Sequence, residues 1–149
     1  SEKLSHLGGE LLVESLRKIE EGKATPIPQK GEVVEAPRFK KEDGLIDWTK
    51  SGDTLSRQIR ALVPWPGSFS YLHGNRVLIW KAVIAPAEEM KGRPGEFVRI
   101  SEKGEIGVKT GKGILWIQEI QLEGKQRMES RQFLIGRPVK GGETFACNP

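Results

Sequence analysis

Leu4, Leu7, Leu11, Leu12, Leu16 and Ile19 recur at helical intervals, with Glu10, Glu14, Arg17, Lys18, Glu20 and Glu21 on the other faces. This pattern predicts an amphipathic helix over residues 1–22, closed at Gly22. Gly8 and Gly9 weaken its first turns, each by about 1 kcal/mol relative to Ala, or admit a close neighbour. From Lys23 to Ala36 the periodicity is lost, and Pro26 and Pro28 in TPIPQ mark an extended, fairly stiff linker. Leu45, Ile46 and Trp48 then form a short apolar patch, and Leu55, Ile59 and Leu62 return to helical spacing, with Asp53 as the expected cap. Pro64 ends that helix, because its ring pushes Val63 out of the α region, and Pro66-Gly67 turns the chain.

Beyond the corner the pattern belongs to strands. Ser68–Leu72 and Arg76–Ile84 flank His73-Gly74-Asn75, a short connection of the hairpin kind. Glu96–Ser101, Ile106–Thr110 and Ile114–Leu122 follow, separated by glycine turns at Lys103-Gly104 and Gly111-Lys112-Gly113. Ile106 and Val108 alternate, whereas Ile114-Leu115-Trp116-Ile117 reads as buried on both faces. Phe133 and Leu134 predict one short helical turn, started near Ser130 and stopped by Gly136 and Pro138. Residues 37–149 therefore read as a mainly β domain: a small Greek-key barrel of the oligonucleotide-binding type with an inserted short helix, preceded by an amphipathic helix and a linker. A simple β-sandwich is the structural alternative.

The run QIRALVPWPGSF, followed by RVLIWKA, resembles the C-terminal domain of methionyl-tRNA formyltransferase. LGGELLVESLRKIEEGKATPIPQ and KKEDGLIDW before it, and LEGKQRM and FLIGRPVKGGE after it, agree in the family's order. The departures are Val63 where the family usually has Asn, Glu35-Ala36 where it often has Tyr-Ala, and Glu129 where it commonly has a capping Ser. The resemblance implies the same small barrel. It also implies that residues 1–22 are the last helix of an N-terminal catalytic domain, and that the chain was cut from a longer protein. The orphan stripe of that helix would then pack on the barrel, pair with a second copy, or fray.

Charge and chemistry sharpen this expectation. Residues 1–36 hold five Lys/Arg against seven Asp/Glu, while residues 37–149 hold nineteen against thirteen, so the basic surplus belongs to the second part. A phosphate-bearing partner is a common reason for such a surplus, although proteins without one carry it too. One cysteine, Cys147, forms no internal disulfide, no apolar run reaches the length of a membrane span, and no leader pattern opens the chain; cytoplasmic placement is the expectation. Only two histidines are present, His6 and His73, with no zinc spacing and no phosphate loop. The family's formyl transfer uses an Asn-His-Asp constellation and a Ser-Leu-Leu-Pro folate loop, neither of which occurs here. No catalytic residue, cofactor site or metal site is expected in this chain, with 10-formyltetrahydrofolate serving the whole enzyme as cosubstrate.

The resemblance implies instead that the chain holds initiator tRNA while the N-terminal formyltransferase domain works at the acceptor end. Arg38, Lys40, Lys41, Arg57, Arg60, Lys125 and Arg127 are the candidate tRNA contacts. Each is read equally well as a solvated surface charge. Two other classes stand open: a structural C-terminal domain of a related folate or sugar formyltransferase, and a free-standing single-strand binder. The second would display aromatics for base stacking, yet Trp48, Trp65, Trp80 and Trp116 all sit in apolar runs that read as core.

Overall fold

The first apolar stripe forms helix α1 (Glu2–Glu20), and Gly22 closes it in a left-handed conformation at φ 68°. None of its described residues is buried, and Leu4, Leu7, Leu11, Leu12, Leu16 and Ile19 are each more than half exposed. In this computed structural model residues 2–84, 90–139 and 142–148 are described; Lys140 and Gly141 of the FLIGRPVKGGE segment lie outside them. The chain divides into two compact units, residues 1–37 and 38–149, and residues 23–40 carry no regular secondary structure.

In the second unit a 3-10 turn (Lys41–Gly44) precedes helix α2 (Gly52–Ala61), which buries Leu55 and Ile59. Ser51, not Asp53, caps α2. Ser51 has the extended backbone that a capping position requires and its hydroxyl accepts from the Thr54 N–H at 3.3 Å, whereas Asp53 is already helical and pairs with Arg57 one turn on. The strands are β1 (Ser68–Leu72), β2 (Asn75–Ile84), β3 (Phe97–Ile100), β4 (Ile106–Lys109), β5 (Ile114–Leu122) and β6 (Met128–Glu129), followed by helix α3 (Ser130–Gly136). They form one antiparallel sheet in the order β1-β2-β5-β4-β3, with β6 on β5.

Local chemistry explains several departures from the expected boundaries. His73 (φ 50°) and Gly74 (φ 74°) both turn left-handed, so two residues close the first hairpin and Asn75 joins β2 opposite Leu72. The sixth strand, β6, begins at the end of the LEGKQRM segment and is not among the expected strands; two residues are too few to show alternation. Among the described residues no helix interrupts β1 to β5, so the expected inserted helix instead precedes the sheet as α2. Ser130 does not cap α3: its buried hydroxyl donates to the Ile117 carbonyl at 2.7 Å and pins α3 to β5.

Inward positions Leu72, Val77, Ile79, Ile106, Val108, Leu115, Ile117 and Ile120 pack with Leu55 and Ile59 of α2, Phe133 of α3, and Trp48 and Phe145. Phe145 lies on a C-terminal segment that reaches both edges of the sheet. Tyr71 of β1 exchanges backbone hydrogen bonds with Ala146 at 3.0 and 2.8 Å, the Phe97 N–H of β3 donates to the Glu143 carbonyl at 2.8 Å, and the Phe145 N–H donates to the Gly95 carbonyl at 2.9 Å. The segment therefore satisfies backbone groups that edge strands would otherwise present to solvent. It is fastened from within by Trp48, whose indole N–H donates to Ser70 at 3.0 Å while the Ser70 hydroxyl donates to the Ala146 carbonyl at 2.7 Å.

The expectation that all four tryptophans are core is corrected. Trp48 is 2% exposed, but Trp65 is 57% exposed at the corner, and Trp80 and Trp116 are half-buried. Strand alternation turns the side chain next to a buried Ile outward, as at Ile79-Trp80. The run Ile114 to Ile117, expected to be buried on both faces, likewise carries Trp116 outward, over Gly107: a Cβ there would lie 3.0 Å from the indole ring.

Candidate nucleic-acid interface

Arg38, Lys40 and Lys41 are exposed where the second unit begins, and polar contacts hold the backbone from Lys40 to Leu45. The Lys40 N–H donates to Asp43 Oδ2 at 2.6 Å, which occupies one of the two local carboxylates. From α2 the Gln58 side-chain amide donates to the carbonyls of Asp43 and Leu45, both at 3.2 Å. The Ile46 N–H donates to the Phe69 carbonyl at 2.8 Å, tying the same segment to β1. Gly44 makes the fit possible: a Cβ at this position would stand 2.1 Å from the Gly67 carbonyl oxygen, so any side chain would lift the turn off the corner. The basic turn, the C-terminal half of α2 and the Val63–Gly67 corner are thus one packed unit.

Arg57 and Arg60 are exposed on α2. The ion pair with Asp53 offsets the charge of Arg57, whereas Arg60 sits one residue before the end of the helix at the corner. There Trp65 presents most of its indole to solvent, beside Val63 at 39% exposure. The corner ends against the sheet, since a Cβ on Gly67 would touch Leu78 at 3.3 Å.

Lys125 and Arg127 occupy the turn between β5 and β6, and no hydrogen bond or ion pair joins them to the first group. Arg127 pairs with Glu119, and its guanidinium lies 5.2 Å from the Trp80 ring. Gln121 orders this turn, accepting from the Trp80 indole N–H at 2.8 Å and donating to the Lys125 carbonyl at 2.7 Å. Among the cations outside the seven sequence candidates is Arg76 of β2, whose guanidinium stacks 3.9 Å from the Phe69 ring. The signal for it was available in the alternation, since positions 76, 78 and 80 share the outward face of β2.

Chemically, these groups are cations and aromatics suited to phosphates and flat rings. Among the described residues no group of three or more His, Cys, Asp or Glu could hold a metal ion, and no helix is long and apolar enough to cross a membrane. The exposure of Trp65 removes the reason for setting single-strand binding aside, because a solvent-facing indole is a stacking surface.

The fold and this surface define a mainly β domain: an antiparallel sheet with a few helices and an exposed basic and aromatic surface. The chain belongs to the formyl transferase C-terminal domain family, whose model matches residues 38–138. It is 41% identical over 147 residues to the methionyl-tRNA formyltransferase of Dictyoglomus turgidum, covering 96% of this chain and 46% of that protein. The methionyl-tRNA formyltransferase of Symbiobacterium thermophilum is 37% identical over 146 residues, with 97% and 45% covered. The chain thus spans about half the length of the curated relatives it matches. Among solved structures it is similar to HypX from Aquifex aeolicus in a multiply substituted variant, with a TM-score of 0.64 and 28% identity over 89% of this chain and 24% of that one. A structure of HypX in complex with tetrahydrofolic acid matches at a TM-score of 0.61 and 25% identity, covering 92% and 26%.

Proposed function

We propose that this chain is the tRNA-holding part of a cytoplasmic enzyme that formylates the amino group of methionine on initiator tRNA, with 10-formyltetrahydrofolate as cosubstrate. One observation carries the reading: in a chain whose relatives are methionyl-tRNA formyltransferases, Arg38, Lys40 and Lys41 stand exposed at and just before a turn braced by Gln58 against α2 and by Gly44 against the corner. Such a turn offers phosphate contacts at fixed positions, which orient a nucleic acid without reading its sequence. Holding the tRNA body raises the rate at the acceptor end by making part of the encounter intramolecular, although this domain touches no reacting atom. The chemistry belongs to the preceding formyltransferase domain of the longer relatives, and the exposed stripe of α1 is the surface it would cover. In isolation the chain transfers no formyl group.

Anisotropy titration of initiator tRNA at several salt concentrations tests this. Three or four phosphate contacts give a log–log salt slope of about −2 to −4, and replacing Arg38, Lys40 and Lys41 together with Ala flattens it for initiator and elongator tRNA alike. Equal slopes and affinities for parent and triple variant would show a solvated turn. Absence of binding at low salt would favour a second reading, structural support in a tetrahydrofolate-handling protein, which the likeness to HypX supports.

A further inference from the structure

We infer that the outward face of β1, β2 and β5 is a second RNA contact, in which Arg76 and Arg127 grip the phosphates of one strand. The inference rests on the tRNA reading above and extends it to a surface and a residue the entry turn does not include. Arg76 carries the decisive observation. Its Nε is buried without any hydrogen-bond partner, and no carboxylate among the described residues pairs with it. The cross-strand neighbour Glu123 bonds only its own backbone N–H to the Arg76 carbonyl, at 3.1 Å, and leaves the guanidinium alone. Stacking on Phe69 at 3.9 Å fixes the guanidinium plane, while its two terminal nitrogens are not among the buried unpartnered atoms and so reach solvent.

A cation held flat, without a counter-ion and with its outer donors free, is organised for an anion in advance. Guanidinium suits phosphate through its planar fork, and ring stacking removes much of the side-chain freedom that binding would otherwise cost. Arg127 repeats the device more loosely, its guanidinium 5.2 Å from the ring of Trp80, which shares the outward face of β2 with Arg76. Arg127 is paired with Glu119, and Glu123 stands opposite Arg76 without bonding its guanidinium, so Arg76 is the cation of this face that keeps its charge uncompensated. Two ring-stacked guanidiniums on one face fit a polyanion with spaced charges better than a single small anion.

The test is the same tRNA titration, run on the full chain with Arg76→Met and Arg76→Lys. Methionine keeps an apolar stem over Phe69 and removes the charge; lysine keeps the charge and removes the fork. Loss of one phosphate contact predicts a salt slope shallower by about 0.7 to 0.9 for Arg76→Met and affinity weaker by about three- to tenfold. Arg76→Lys should keep the parental slope with weaker binding. If Arg76→Met matches the parent in slope and affinity, the inference falls while the entry turn remains a tRNA site. If both variants lose affinity with no change of slope, Arg76 is packing only and the inference also falls. Should Arg76→Met fail to show a parental urea midpoint, Arg127→Met carries the same expectation and the same refutation. A parent that binds no tRNA at low salt overturns this inference together with the functional reading.

Discussion

Replacing Trp48 or Trp65 with Ala should separate a structural tryptophan from a surface one in the same chain. Trp48 is 2% exposed, stacks on Phe145 at 5.2 Å with the rings 7° apart, and donates its indole N–H to Ser70. Deleting it removes a large ring and leaves a cavity between the sheet and the C-terminal segment, for which the usual cost is about 3 to 5 kcal/mol. The loss also unpins Phe145, so the edges of β1 and β3 should open together. Trp65 is 57% exposed and has no hydrogen-bond partner among the described contacts, so less than half of its area leaves water on folding. At about 25 cal/mol per Å² and roughly 150 to 250 Å² for a large aromatic, that area is worth about 1.6 to 2.7 kcal/mol, an upper figure because unfolded chains already cover some of it. Urea denaturation followed by far-ultraviolet circular dichroism measures both without relying on tryptophan emission. Native-state hydrogen exchange at the Tyr71 and Phe97 amides, which bond to the C-terminal segment, reports whether the edges open in Trp48→Ala. Equal losses in the two variants, or a loss above about 3 kcal/mol for Trp65→Ala, would refute the reasoning.

Two further perturbations test the 47–50 turn that carries Trp48. Gly111→Ala puts a Cβ 1.8 Å from the Thr49 carbonyl oxygen, so backbone must move, and a loss of about 1 to 3 kcal/mol or more in the urea midpoint is expected; an unchanged midpoint would show that the 48–50 turn yields freely. The Thr49 hydroxyl at 2.6 Å and the Thr49 N–H at 3.1 Å hold the Asp47 carboxylate below its ordinary value of 3.8, so its contribution is present above about pH 4 and fades as pH falls through the lowered value. Asp47→Asn should therefore lower stability at neutral pH and flatten its acid dependence, and parallel stability curves for variant and parent between about pH 2 and 5 would refute this.

The sequence by itself determined the elements whose cause is local. Helical spacing at Leu55, Ile59 and Leu62 and the prolines after them set α2 and its end, because 3.6-residue periodicity and a missing N–H act within a few residues. The five longer strands were legible from alternation and glycine turns, and the family from the corner and hairpin that follow. Tertiary structure decided what depends on partners far along the chain. Ser130 reads as a cap until β5 supplies the Ile117 carbonyl for its hydroxyl, and the C-terminal segment has no pattern until β1 and β3 offer unpaired backbone groups. Trp65, Trp80 and Trp116 show why burial was the least legible property. An indole in an apolar run is equally consistent with either face of a strand, and only register, bulges and the bare backbone of Gly107 choose the face. For the same reason Arg76 is an ordinary strand cation in the sequence, and only the pairing of β1 with β2 lays it on Phe69 without a counter-ion.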